Sequence, residues 1–269
     1  MPCHVSRRVA LALPLASLPL GGCARSEPDT DLAASTTASG PRVELQGTAA
    51  PARLRQIQED ALAAIDPVTQ VWAGHSLPVP IRVLAPATST EFADFAGTAD
   101  PQVPAITRSD RTVVIHPGLW SRTTEAGRRT VMRHELTHVA LDQGTWRRVP
   151  RWVVEGSAEY TAYRRTDLTP AQIAPGLAAR VRAGERLTAP PTDTEVSGDD
   201  GYGLAWAWCS YLVDQHGRDR FVAFVGEVGK QRSSAGTSAA FRATYGTTPE
   251  RAADGYPRWL ASWLSATSP

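Results

Sequence analysis

The stretch RHELTHVALD (133–142) sets His134 and His138 four residues apart, with Glu135 directly after the first. On a helix, residues at this spacing leave the same side, so both imidazoles can reach one metal ion. Glu135 then stands beside the ion without being a ligand, where it can take a proton from a water that zinc has made acidic. A helix whose histidines are merely packed or solvated would spell the same pattern, but with six histidines in the chain a chance match is rare. The neighbours also favour a metal. Met132, Leu136, Val139 and Ala140 make one apolar stripe, while Val131 and Leu141 lie on the side of the histidines. A helix apolar nearly all round is buried, and a cation gives two buried imidazoles a partner at once.

A hydrolytic zinc site takes three protein ligands and leaves a fourth position for water. VPRWVVEGSAEYTAY (149–163) offers Glu155 and Glu159, again four apart. Glu155 follows His138 by 17 residues, enough for one helix to end, the chain to turn through DQGTWRRVP, and a second helix to return. Two glutamates at this spacing often form only a solvated stripe. Here they are interleaved with Trp152, Val153, Ala158 and Tyr160, which argues for a buried pair.

H-E-x-x-H followed by W-x-x-E-G-x-A resembles the gluzincin zinc metallopeptidases, the group that includes thermolysin and the zinc aminopeptidases. The resemblance implies one Zn2+ per chain held by His134, His138 and Glu155, with Glu135 as general base. It also implies that Glu159 hydrogen-bonds His134 and keeps its metal-binding tautomer. In aminopeptidase-type members a tyrosine precedes an apolar helix ending in Y-L…G, and its hydroxyl stabilises the oxyanion. GYGLAWAWCSYLVDQHG (201–217) is similar, so Tyr202 takes that role, with Tyr160, Tyr163 and His216 as other candidates. In the same family a sheet edge strand pairs with substrate backbone, a role implied for RTVVIHPG (111–118). His116 at its end is then a structural or rim residue. The likeness covers about residues 107–217 and is nearest to the short peptidase-MA-like domains of bacterial lipoproteins. It departs at one place: the G-x-M-E-N segment that binds a substrate amino terminus is absent. Aminopeptidase specificity therefore does not carry over, which leaves endopeptidase or an unusual specificity open.

The elements that must position these groups can be read along the chain. PARLRQIQEDALAAIDPVTQVWA has helical apolar spacing and is expected to break near Pro67; PIRVLAP reads as a strand and STEFADFAG as a helix opened by a Ser/Thr cap. AITRSDRTVVIHPG offers a hairpin around Ser109-Asp110-Arg111. From Thr124 the pattern is helical: the motif helix, a helix from about Trp152 to Arg165, and a proline-rich linker to Glu195. The apolar helix at 202–217, RDRFVAFVGEVGK and a final pair of short helices follow. The expected class is α+β, with a small N-terminal mixed sheet and helices, a mostly helical C-terminal half, and a zincin-like active-site helix between them.

With 42 % apolar and 20 % charged residues the chain can build a core, and a net charge of +1 gives no field for nucleic acid. Arg7, Arg8 and the apolar run Val9–Leu20 read as a signal peptide (1–22), too short and too rich in proline to span a bilayer. Leu20-Gly21-Gly22-Cys23 resembles the bacterial lipobox, which implies lipidation of Cys23, and SRRVAL loosely resembles a twin-arginine export motif. Residues 23–48, rich in Ser, Thr, Ala, Gly and Pro, read as a flexible tether, and 49–269 as one catalytic domain. Cys209 is left as a lone, buried packing thiol. The expectation is a lipid-anchored, extracytoplasmic zinc peptidase acting on peptide or protein substrates. A zinc-containing binding or structural domain without activity is the alternative, and hydrolysis of a non-peptide amide or ester a third reading.

Overall fold

Short strands come first in the chain, some with buried and exposed side chains alternating (Ile81–Leu84) and some apolar throughout (Val113–Ile115). The computed structural model describes residues 36–39, 42–187 and 189–266; the leader, Cys23 and the start of the tether lie outside the described residues. Five strands, β1 (Thr36–Ser39), β2 (Val43–Gly47), β3 (Ile81–Leu84), β4 (Ala105–Thr107) and β5 (Val113–Ile115), form one mixed sheet in the order β1-β2-β3-β5-β4. β2, β3 and β5 run parallel, while β1 and β4 are antiparallel to their neighbours.

Two expectations change here. β1 and β2 fall inside the expected tether of residues 23–48, so the folded unit starts before residue 49. Val43 and Leu45 are fully buried, and their alternation with Glu44 and Gln46 seats β2 against β3. The RTVVIHPG run does not supply the edge strand either. Its strand, β5, lies between β3 and β4, because Val113, Val114 and Ile115 are buried on both faces, as an interior strand requires. The edge is β4. Arg108 N–H donates to Thr112 O and His116 N–H to Pro104 O. Inward bonding alternates along an antiparallel pair, so Ala105 and Thr107 turn their N–H and C=O groups away from β5; Ala105 is buried there and Thr107 half-buried.

The helices in chain order are α1 (Pro51–Val71), α2 (Ser89–Ala96), α3 (Leu119–Arg122), α4 (Glu125–Leu141), α5 (Arg151–Tyr163), α6 (Pro170–Ile173) and α7 (Pro175–Arg182). They continue as α8 (Asp193–Ser197), α9 (Gly201–His216), α10 (Arg218–Gln231), α11 (Ser234–Tyr245), α12 (Pro249–Ala252) and α13 (Tyr256–Leu264). α1 does not break at Pro67. Ala64, Ile65, Val68 and Val71, on both sides of the proline, are buried, and α1 packs along α4, which outweighs one lost helical hydrogen bond. The proline-rich linker contains α6, α7 and the start of α8. Pro170 and Pro175 occupy first helical positions, where a missing N–H costs nothing, and Thr169 and Thr192 close capping boxes with Gln172 and Glu195. Among the described residues three helices, not two, follow α10.

The result is α+β, with α4 between the sheet and the helical half: it touches β4 and β5 as well as α1 and α5. α5 crosses α9 at Gly156. A Cβ there would stand 2.5 Å from Cys209 Sγ and 2.6 Å from Ala205 O, so the glycine after Glu155 sets how closely the two helices approach. Cys209 is fully buried, its thiol 3.6 Å from Trp152 O.

Candidate metal centre and active site

α4 is held at both ends. Thr124 Oγ1 accepts from Gly127 N–H at 3.2 Å, and Asp142 ends the helix in the left-handed region at φ 54°. Arg111 Nε donates to Val139 O at 2.9 Å, occupying one of the terminal carbonyls. α4 is buried over most of its last three turns, which is the environment expected from its apolar circumference. α5 begins where Asp193 Oδ1 accepts from Arg151 N–H at 2.7 Å, a cap supplied by α8.

These two helices bring His134, His138 and Glu155 together. The two Nε2 atoms are 3.0 Å apart, and Glu155 Oε2 is 3.7 Å from each. Ligands about 2.0–2.1 Å from a tetrahedral zinc stand about 3.3–3.4 Å from one another, a value these separations bracket. The three residues are 2 %, 7 % and 4 % exposed, and among the described residues they form the group able to hold a metal ion. The donor set, two imidazole nitrogens and one carboxylate oxygen, suits zinc.

The electrostatics point the same way. Burial pulls His134 down, but hydrogen bonds to Glu155 and Glu159 and the charges of Glu159 and Glu135 hold it well above its ordinary value. His138 is lowered, by burial and by the adjacent His134. Burial pushes the Glu155 carboxyl up, yet His134, His138 and Arg151 together bring it down to about 2. Three carboxylates facing two imidazoles in a buried space favour a positive charge among them.

Further side chains orient the donors. Glu159 Oε1 lies 3.0 Å from His134 Nδ1, in reach but off the ideal N–H line. His138 Nδ1 is 2.6 Å from Gln143 Oε1, and Gln143 Nε2 donates to Ser157 Oγ at 2.9 Å. Each histidine thus has its Nδ1 facing an acceptor and its Nε2 facing the centre. Arg151 Nη2 stands 3.3 Å from Glu155 Oε1, leaving Oε2 toward the histidines. Thr107 Oγ1, on the edge strand, is 2.6 Å from Glu135 Oε2 and ties the carboxylate beside that edge.

No known family model matches the chain, and no curated protein matches it. The role of the site therefore rests on its own side chains.

Tyr202 belongs to the first turn of α9 and does not precede it; its ring centroid is 6.0 Å from that of His134. Tyr163 shares a cavity wall with it, whereas Tyr160 and His216 line a separate surface cleft. His116 is structural: its Nδ1 accepts from Gly118 N–H at 2.9 Å and its ring packs on Phe92 at 4.6 Å. Sequence reasoning missed Gln143, Thr107 and Arg151. Arg151 had a usable signal, since it stands one helical turn before Glu155, the spacing of an i, i+4 ion pair.

Proposed function

We propose that this chain is a zinc-dependent metallopeptidase of the gluzincin type. The observation that carries the reading is the convergence of His134 Nε2, His138 Nε2 and Glu155 Oε2, 3.0–3.7 Å apart, with Glu135 alongside. Zinc held there supplies a Lewis acid that polarises a carbonyl and makes water acidic. Substrate backbone would add along the outer side of β4 at half-buried Thr107. Thr107 holds Glu135 Oε2, so Oε1 is the atom that takes the proton of the attacking water and passes it to the departing nitrogen. The water oxygen bonds to the carbonyl carbon as the C–N bond breaks. Tyr202 donates its hydroxyl proton in a hydrogen bond to the carbonyl oxygen as charge builds there. The buried site excludes bulk water, which strengthens each of these interactions. The run expected to be a signal peptide (1–22), with the lipobox-like Cys23 directly after it, supports a lipid-anchored, extracytoplasmic location.

One observation favours a second reading, a zinc-containing binding or structural domain: Glu135 is only 2 % exposed, which narrows access to it. The test is to purify the chain with zinc and compare cleavage of a peptide library by wild type and Glu135→Gln. Cleavage lost in Glu135→Gln supports the peptidase; one zinc per chain with no Glu135-dependent cleavage supports the binding domain.

A further inference from the structure

The parallel strands β2, β3 and β5 run toward one end of the sheet, and the chain leaving each of them walls a cavity of about 280 Å³ there, together with the start of α1 and α3. Crevices beyond the carboxyl ends of parallel strands are common ligand positions. The floor is Ile57, Ala85, Pro86 and Ile115, all buried. The size, just under the roughly 300–1,000 Å³ of small-molecule sites, suits a compact guest rather than a peptide or a lipid chain. No residue that lines the cavity is a candidate zinc ligand, so it lies apart from the centre proposed above.

Its polar side chains are donors. No Asp or Glu lines the cavity, and its one charged side chain is Arg53. The guanidinium lies over the Trp120 ring, its Cζ 4.1 Å from the ring centre, and among the described residues it meets no carboxylate and no hydrogen-bond acceptor. Burial and the charge of Arg128 pull Arg53 below its ordinary value, as for a cation that nothing offsets. Two carboxylates of the surrounding elements are engaged: Asp60 meets Arg128 at 3.0 Å and Arg129 at 3.4 Å, and Glu91 Oε2 accepts from Thr48 Oγ1 at 2.8 Å and from Ala87 N–H at 3.0 Å. Trp120 adds a second unmet donor, since its Nε1 is buried without an acceptor. An unpaired buried donor is costly, and an anion reaching Arg53 and Trp120 together removes that cost.

We propose that this cavity binds a small organic monoanion, a carboxylate carried on an apolar body, with Arg53 and Trp120 Nε1 meeting the carboxylate and the floor covering the body. One free cation matches one negative charge, and the apolar floor leaves a bare inorganic anion without partners. The site goes beyond the peptidase reading and does not depend on it. The full chain is titrated by calorimetry with phenylacetate, hexanoate, the neutral phenylacetamide and inorganic phosphate. Chain with isotope-labelled indole nitrogens is followed by NMR in the same titrations, the Trp120 signal being assigned with Trp120→Phe.

Phenylacetate is expected to bind about tenfold or more tightly than the amide, the scale of a charge-assisted hydrogen bond, and both carboxylates to move the Trp120 indole signal while phosphate does not. Arg53→Gln, at a half-buried position in the first turn of α1, should erase the difference between acid and amide with the fold and the zinc content unchanged. Should Trp120→Phe fail to fold, the Arg53→Gln comparison decides alone. No saturable binding of either carboxylate, equal binding of acid and amide, phosphate binding as tight as theirs, or a preference that survives in Arg53→Gln would overturn the proposal. So would carboxylate binding that leaves the Trp120 indole signal in place.

Discussion

Replacing Gly156 by alanine tests whether the crossing of α5 and α9 sets the position of Glu155. The added Cβ would meet Cys209 Sγ at 2.5 Å and the backbone of Ala205 at 2.6 and 3.1 Å. A side chain can swing aside, but a helix carbonyl cannot, so the helices must separate. Overpacking of this kind costs about 1–3 kcal/mol, and the backbone contact places this case at the upper end. Alanine returns about 1 kcal/mol of helix propensity, leaving a net loss of about 2 kcal/mol. For a chain of this size that lowers Tm by about 4–8 °C. Cys209→Ala removes the sulfur contact but not the carbonyl, so the double variant should recover only part of the loss. Thermal and urea denaturation of the four proteins measure the cycle, and chelator competition measures zinc affinity, which should fall because Glu155 is the adjacent residue. Gly156→Ala with parental stability and unchanged zinc affinity would refute the reasoning.

Three further outcomes follow from the site. Gln143→Leu removes the partner of His138 Nδ1 and should weaken zinc binding by about 10–100-fold while the fold survives, measured by competition with a chromogenic chelator. Tyr202→Phe should lower kcat by about 100-fold or more with zinc content unchanged, as metal analysis and steady-state kinetics on a cleaved peptide will read. In the metal-free protein Glu155 titrates at about 2 against an ordinary 4.5, so its contribution to stability is complete above pH 4.5 and is lost as pH falls toward 2. Glu155→Gln should flatten that limb of the stability profile, seen in urea midpoints collected with a chelator across this pH range.

The candidate ligand group was legible because its spacing is local. His134 with His138, and Glu155 with Glu159, are each four apart on one helix, and periodicity carries that across any tertiary context. The partners supplied by loops were not. Gln143 reaches His138 only because Asp142 turns left-handed at the end of α4, and a single glutamine after a helix has no periodic mark. Thr107 meets Glu135 because β4 is outermost, which depends on β5 pairing with β3 across a long sequence separation. A hairpin is visible in AITRSDRTVVIHPG, but which of its strands faces outward is decided by partners elsewhere in the chain. β2 did leave a trace: the alternation of Val43 and Leu45 with polar neighbours was hidden by the Ser/Thr-rich composition around it. In the linker, proline density read as irregular chain, whereas Pro170 and Pro175 start helices.

The central claim is that two helices present His134, His138 and Glu155 to one zinc ion. X-ray absorption at the zinc edge, combined with metal stoichiometry, tests it most directly on the wild type and on His134→Ala, His138→Ala and Glu155→Ala. One zinc per wild-type chain is expected, with two imidazole nitrogens and oxygen ligands at about 2.0–2.1 Å, and loss of that signal in each folded variant. Folded wild type that takes up no zinc, or variants that bind it with an unchanged spectrum, would contradict a zinc site built from these three side chains.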